Sequence, residues 1–342
     1  MIKKLRYYIA MEKLKNKKIL VTGADGFIGS HLVERIVAEG ADVRALVYYN
    51  SWESIGLLRF IEKLGKKCEI VMGDIRDPHF CLQATKDQDY IFHLAALIAI
   101  PYSYIAPTSF FETNVLGTVN LLEAAKKNSR LTKFIHTSTS ETYGTALYSP
   151  IDEKHELQAQ SPYAASKVGA DKAAMSYYLS FGTPVSIIRP FNNYGPRQSA
   201  RAVIPTIITQ LISDKIKKVK LGSLDPVRDY TFALDTADAF IKVCLSSKTI
   251  GEIVNVGSGK GVSIGEIYKM ASTIVGIQKE VELDTQRIRP SKSEVWKLIC
   301  DNAKIKKLAG WKPTIDFKTG LEITINWIRE HMDMYRPEMY SV

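Results

Sequence analysis

Tyr163 and Lys167 stand four residues apart in Ser161-Pro162-Tyr163-Ala164-Ala165-Ser166-Lys167. On a helix that spacing puts both side chains on one face. An ammonium beside a phenol favours the phenolate and lowers its pKa from about 10, which makes Tyr163 a base for a sugar or alcohol hydroxyl. A second group of polar residues, Thr137-Ser138-Thr139-Ser140-Glu141-Thr142-Tyr143-Gly144, follows a strand-like run. It offers hydroxyls, Thr139 among them, that can hydrogen-bond a substrate oxygen, and a carboxylate, Glu141, that can accept a proton. A third group is glycine-rich: Gly23, Gly26 and Gly29 lie between an apolar run (Ile19-Leu20-Val21) and apolar residues at helical spacing (Ile28, Leu32, Val33, Ile36). Glycines in a strand-to-helix turn let backbone N–H groups approach a pyrophosphate at the positive end of the helix.

These residues need a frame. Strand-like and helix-like segments alternate through the first two thirds of the chain, predicting an α/β fold with a doubly wound parallel sheet. The predicted strands are 17–22, 42–48, 68–72, 90–94, 133–138 and 185–189, with helices at 27–39, 109–128 and 161–181. Ser161 is the N-cap of the last helix and Pro162 begins its first turn. From about residue 200 the pattern loosens: a short strand at 217–221, a helix from Asp235, a strand at 252–256, a helix after Ser263 and a closing helix at 320–331. The division expected is an extension at 1–16, a dinucleotide-binding Rossmann domain at 17–195, and a smaller substrate-binding lobe at 196–342 with segments returning to the first domain. Ligands of such sheets sit beyond the carboxyl ends of the strands.

Composition narrows the function. The chain has 342 residues, 46% of them hydrophobic, and a formal net charge of +10. Lysines and arginines are spread along it without an arginine-rich tract or aromatic ladder, which argues against nucleic acid and for an anionic small substrate. No apolar run approaches the roughly 20 residues of a membrane span. Cys68, Cys81, Cys244 and Cys300 have no metal or redox spacing and point to a reducing cytoplasm, with no metal expected. Residues 1–10 are basic, too short in apolar stretch for a signal peptide, and expected to be dispensable.

The glycine turn and the Tyr-x-x-x-Lys helix together resemble the extended short-chain dehydrogenase/reductase superfamily. Within it, Thr139-Ser140-Glu141, the Arg189-Pro190-Phe191-Asn192-Asn193-Tyr194-Gly195-Pro196 segment and Arg289-Pro290-Ser291 resemble the nucleotide-sugar 4,6-dehydratases over residues 17–332. Tyr48-Tyr49-Asn50-Ser51, Thr139 to Thr145 and Pro196-Arg197-Gln198-Ser199-Ala200-Arg201 most resemble the N-acetylglucosamine-nucleotide 4,6-dehydratases of legionaminic acid synthesis.

The resemblance implies a catalytic set of Thr139, Ser140, Glu141, Tyr163 and Lys167. It implies cofactor contacts at Gly23, Gly26, Phe27, Ile28, Gly29, Asp74, Ile75, Ala95 and Ala96, besides Tyr163 and Lys167. Substrate contacts fall at Asn192, Arg201, Arg228 and Arg289, whose guanidinium forks suit phosphates. His93 is expected to be a packed, hydrogen-bonded histidine, and Asn114 to be structural. A carboxylate about 20 residues past the glycines normally binds the ribose 2′-hydroxyl of NAD. Val47 stands there, with neither an acid to repel a 2′-phosphate nor an arginine to attract one, so the residues leave NAD and NADP open; the resemblance points to NAD. Ser140 replaces the aspartate of the dTDP-glucose branch, which leaves the general acid open among Ser140, a water and Glu141. The expected product is a 4-keto-6-deoxy sugar from UDP- or GDP-N-acetylglucosamine, formed by transient oxidation at C4. UDP-glucuronate decarboxylation and 4-epimerisation are the rival reactions, and a non-enzymatic regulator would usually have lost Tyr163 or Lys167. The family also implies a homodimer through helices 109–128 and 161–181, with Ala165, Val168, Ala173 and Tyr177 as the stripe on the second.

Overall fold

Six short apolar runs and one later one become the central sheet, because strands covered on both faces are apolar nearly throughout. A computed structural model describes residues 13–62, 64–288, 290 and 295–340. The strands are β1 (Lys18–Thr22), β2 (Asp42–Tyr48), β3 (Cys68–Gly73), β4 (Tyr90–His93), β5 (Lys133–Thr137), β6 (Val185–Pro190) and, from the second half, β10 (Ile253–Val256). All pair in parallel, in the order β10-β6-β5-β4-β1-β2-β3. The chain winds outward from β1 in one direction and from β4 in the other, so β1 and β4 flank the topological switch.

The helices α1 (Phe27–Ala38), α2 (Pro78–Thr85), α3 (Ile100–Ile105), α4 (Pro107–Phe111), α5 (Gly117–Lys126) and α6 (Pro162–Phe181) lie between these strands in sequence. Predicted helix 109–128 is in fact α4 and α5 joined by a π-helical turn, Glu112–Leu116. That wider turn contains the buried Asn114, whose amide accepts from Leu97 N at 2.8 Å and donates to Leu97 O at 2.9 Å and Ser166 Oγ at 2.9 Å. Asn114 thus ties the loop after β4 to α6. The α6 boundaries follow from their caps: Ser161 Oγ accepts from Ala164 N at 3.1 Å, and Gly182 closes the helix with φ 68°. Each supplies a partner to otherwise orphaned backbone groups.

Beyond the sheet stands a smaller lobe. It holds α7 (Val203–Ile212), α9 (Ile264–Val275), α11 (Phe317–Glu330) and the short strands β7 (Asn192–Tyr194), β8 (Val219–Leu221), β9 (Val227–Phe232), β11 (Gly261–Ser263), β12 (Val281–Leu283) and β13 (Lys297–Leu298). One apolar cluster runs through it, including Ile207, Leu211, Phe232, Ile267, Ile325 and Trp327. Two later helices, α8 (Ala233–Leu245) and α10 (Ala303–Ala309), return to the sheet, where Phe240 and Ile305 join Ile19, Val21 and Phe92 in one core. Leu14 is fully buried in that same core, so packing begins before Lys17. Among the described residues no helix is long and apolar enough to cross a membrane. Arg289 and residues 1–12 lie outside the described residues.

Candidate active site

Two cavities open side by side at the carboxyl ends of the strands, and Asn193 lines both. The first, about 570 Å³, begins at the glycine turn. Gly23 has φ 65°, and a Cβ there would sit 2.8 Å from Ala95 N; a Cβ on Gly29 would sit 2.0 Å from Gly23 O. Only glycine lets strand, turn and helix close this tightly. The N-cap of α1 is Gly26, with no side chain capping the helix, so the first amides are left for a ligand at the positive end of the dipole. Thr22 Oγ1 shapes the opposite wall by accepting from Leu94 N and Ala95 N, both at 3.1 Å. His93 is packed and hydrogen-bonded, with Thr22 Oγ1 at 2.9 Å from Nδ1 and Thr118 Oγ1 at 2.9 Å from Nε2. Gly23, Gly26, Phe27, Ile28, Gly29, Asp74, Ile75, Ala95, Ala96, Tyr163 and Lys167 all line this cavity. A long groove with an open helix N-terminus at its middle fits a dinucleotide.

Asp74 is not a free carboxylate at its end. Arg76, also in the wall, donates to it from Nη2 at 2.6 Å and from Nε at 2.9 Å, which holds the carboxyl below its usual range against the opposing effect of partial burial. The position near the end of β2 where a ribose-binding carboxylate is expected is taken by the buried Val47, and the exposed Tyr48 that ends the strand lines the cavity beside Arg76.

At the other end of the cavity three of the predicted catalytic residues come together. Thr139 lies past the end of β5, and Tyr163 and Lys167 come from the first turns of α6. The Thr139 hydroxyl hydrogen-bonds the Tyr163 phenol. Sequence predicts a phenol lowered by Lys167. In the folded protein the balance is different: burial raises the phenol, the Thr139 bond pulls it down, and the charges on Glu141 and Asp171 raise it further. Burial also draws Lys167 down to about 8, against the charge of Asp171. A low dielectric disfavours both charged forms.

Ser140 and Glu141 occupy the 3-10 turn Ser140–Tyr143 that follows. Neither belongs to the walls of the two cavities. Ser140 is only 3% exposed, whereas Glu141 is half-buried and its charge reaches the Tyr163 phenol.

Below this end of the cavity lies a buried polar network that sequence analysis does not anticipate. Asp171, one turn beyond Lys167, accepts from Ser138 Oγ at 2.7 Å and from Arg189 Nη2 at 2.8 Å and Nε at 3.1 Å, with His136 Nε2 3.2 Å from its other oxygen. Burial pushes the Asp171 carboxyl up, but His136 and Arg189 outweigh it and hold it at about 2. Tyr143, at the end of the Glu141 turn, accepts from Arg189 Nη1 at 3.1 Å and donates to Asn255 at 2.8 Å. The network thus joins β5, β6, α6 and the Glu141 turn. Asp171→Asn leaves a buried guanidinium without its charge partner, and such a break costs about 3–5 kcal/mol. A urea unfolding midpoint equal to that of the wild type would contradict this.

The second cavity, about 410 Å³, is lined by Asn192, Arg201 and Arg228 of the predicted substrate set, and by Pro290 next to Arg289. Asn192 Nδ2 is buried and has no hydrogen-bond partner. Such a donor is costly unless a ligand satisfies it. The cavity also contains Arg287 and Tyr340, which no motif marked.

With this geometry the comparisons with known proteins agree. The sequence profile of GDP-mannose 4,6 dehydratase matches residues 20–324. Human dTDP-D-glucose 4,6-dehydratase is 32% identical over 329 residues, covering 94% of this chain and 92% of that protein. Among solved structures, DesIV, a dTDP-glucose 4,6-dehydratase from Streptomyces venezuelae determined with NAD bound, superposes with a TM-score of 0.84 at 31% identity, over 94% of this chain and 99% of that one. UDP-glucuronic acid 4-epimerase from Bacillus cereus, in complex with UDP-glucuronic acid and NAD, gives a TM-score of 0.83 at 29% identity, covering 92% and 99%. The chain belongs to the extended short-chain dehydrogenase/reductase family of nucleotide-sugar dehydratases and epimerases.

Proposed function

We propose that this protein is a nucleotide-sugar 4,6-dehydratase, with UDP- or GDP-N-acetylglucosamine as substrate, of the kind used in legionaminic acid synthesis. The observation that carries the reading is a carboxylate, Glu141, placed just past Thr139 and close enough to act electrostatically on Tyr163. A 4-epimerase, which only turns its ketone over, has no use for it. Decarboxylases also have Thr-Ser-Glu, so the triplet distinguishes dehydration from epimerisation only.

The first cavity takes NAD, held by the amides at Gly26 to Gly29, the alanines after β4, and Tyr163 with Lys167. Bound NAD would supply a cationic nicotinamide ring as acceptor, and later donor, of the hydride. Tyr163 accepts the 4-hydroxyl proton, Thr139 holds the reacting oxygen, and Lys167 supports the phenolate. The ketone at C4 acidifies the C5 proton, and Glu141 removes it. The 6-hydroxyl then departs as water, with its proton supplied by Ser140, solvent or Glu141 itself, and as hydride arrives at C6 a proton from solvent returns to C5. Asn192, Arg201, Arg228 and Arg289 hold the diphosphate.

The reading extends to assembly as a homodimer through α5 and α6. Ala165, Val168 and Ala173 are half-exposed, and Leu116, Leu179 and Phe181 are exposed on the same pair of helices or the turn before them. Tyr177 does not belong to the free stripe: it is buried against its own subunit, with its hydroxyl donating to Glu123 at 2.5 Å. Sedimentation at micromolar concentration should give a dimer mass; a fully active monomer would contradict it.

The reaction itself is tested by incubating the protein with UDP-, GDP-, dTDP- and CDP-sugars and weighing the products. Loss of one water from an N-acetylglucosamine nucleotide is expected. Loss of carbon dioxide from a uronic acid, or an isomer of unchanged mass, would replace the dehydratase reading.

A further inference from the structure

One wall of the second cavity serves neither the chemistry nor the phosphates. It is formed by Gln286, Arg287 and Ile288, from the 3-10 turn Thr285–Arg287 and its exit, and by Tyr340, from the segment after α11. The Arg287 guanidinium carbon lies 4.6 Å from the centre of the Tyr340 ring. Both partners are held in place. Arg287 Nε donates to Asp284 Oδ2 at 2.9 Å, with both side chains largely buried. Its backbone is set against Gly222, where a Cβ would sit 2.7 Å from Arg287 O. The segment bearing Tyr340 is anchored by Tyr335, whose hydroxyl donates to Gln198 O at 2.8 Å, and Gln198 lines the same cavity.

The chemistry of this wall differs from that of Arg201 and Arg228. Asp284 compensates the charge of Arg287, which makes it a weak phosphate clamp, while its plane and the Tyr340 ring form a flat stacked surface. Leu221 and Pro226 add apolar area, and the Gln286 amide offers both a donor and an acceptor. Stacking faces of this kind, with polar groups at the edge, are what a purine or pyrimidine ring requires. We infer that the Arg287–Tyr340 stack is the platform for the nucleobase of the substrate, so that the segment after α11 completes the substrate site. The inference rests on the reading of the substrate as a nucleotide sugar.

Calorimetric titration of NAD-saturated protein with UDP, GDP, dTDP and inorganic pyrophosphate tests it, because the cofactor cavity is then filled. Tyr340→Ala should weaken the nucleoside diphosphate that the wild type binds by about tenfold or more, the loss of one stacked base, and leave pyrophosphate unchanged. Tyr340→Phe should keep wild-type affinity. In turnover Tyr340→Ala should raise KM and leave kcat unchanged, as for binding shared by ground and transition states. Equal affinity of wild type and Tyr340→Ala would overturn the platform and leave the substrate class standing. A Tyr340→Phe protein as weak as Tyr340→Ala, or a parallel loss of pyrophosphate, would overturn it too. A wild type that binds none of the three nucleoside diphosphates would overturn both this inference and the nucleotide-sugar reading.

Discussion

Replacing Tyr163 by Phe is expected to stop turnover at its first step. The phenol is the group in the first cavity placed to accept the 4-hydroxyl proton: it is buried, bonded to Thr139 and one turn from Lys167 on α6. Removing a positioned general base typically costs about 10²–10⁴-fold. The loss should appear in kcat, since the missing oxygen binds neither phosphate nor base. The ring itself packs against Phe110, with centroids 6.2 Å apart, and Phe preserves that contact, so stability should change little. Rapid-mixing measurement of cofactor absorbance checks this directly: no reduced-cofactor signal should develop on adding substrate. Turnover near the wild-type rate would remove Tyr163 from its role.

Glu141→Gln should fail later. Oxidation at C4 makes no demand on Glu141, whereas the next proton, on C5, has no other assigned acceptor. Substrate should therefore bind and reduce the cofactor, and the absorbance of the reduced form should persist while water release falls by about 10²–10⁴-fold. The neutral amide also removes a charge that raises the Tyr163 phenol, so the first step should, if anything, shift to lower pH. That sign follows from linkage: a group whose pKa falls is deprotonated over a wider range at its acid end. Product release at the wild-type rate would exclude Glu141 from the elimination. The two variants thus separate the oxidation from the elimination.

The parts of the molecule that are legible from sequence are those set by local rules. Seven strands of the sheet begin and end within about two residues of the apolar runs that predicted them, because a strand covered on both faces leaves a continuous apolar signature. Helix α6 is bounded by Ser161, Pro162 and Gly182, each with its own backbone chemistry. Strands of two or three residues, such as β7, β11 and β13, are too short for a period and exist only because β9 pairs with them. Helix α7 escapes too: every residue from Ile204 to Leu211 is buried, the polar Thr206, Thr209 and Gln210 included, so its polar side does not face solvent.

The site divides in the same way. Glycines 23, 26 and 29, Tyr163 and Lys167 are readable because their spacing along one turn or one helix already fixes their geometry. Asp171 is not, since its partners His136 on β5, Ser138 just past its end and Arg189 on β6 meet it only across the fold. The phenol of Tyr163 shows the same limit: pairing with Lys167 follows from spacing, but burial depends on Phe110 and the elements around it and reverses the direction of the shift. The burial of Ser140 in the 3-10 turn after β5 is likewise set by the fold and not by its motif.

The route of one hydrogen distinguishes dehydration from its rival reactions. With a nucleotide sugar carrying deuterium at C4, Tyr163 and Glu141 acting in sequence require the label to leave C4 and reappear at C6 of the 4-keto-6-deoxy product, without added cofactor. Nuclear magnetic resonance of the product reads both positions. Deuterium at C6 is the result predicted; deuterium still at C4 of an inverted sugar, with C6 unlabelled and its hydroxyl retained, would contradict the dehydratase mechanism.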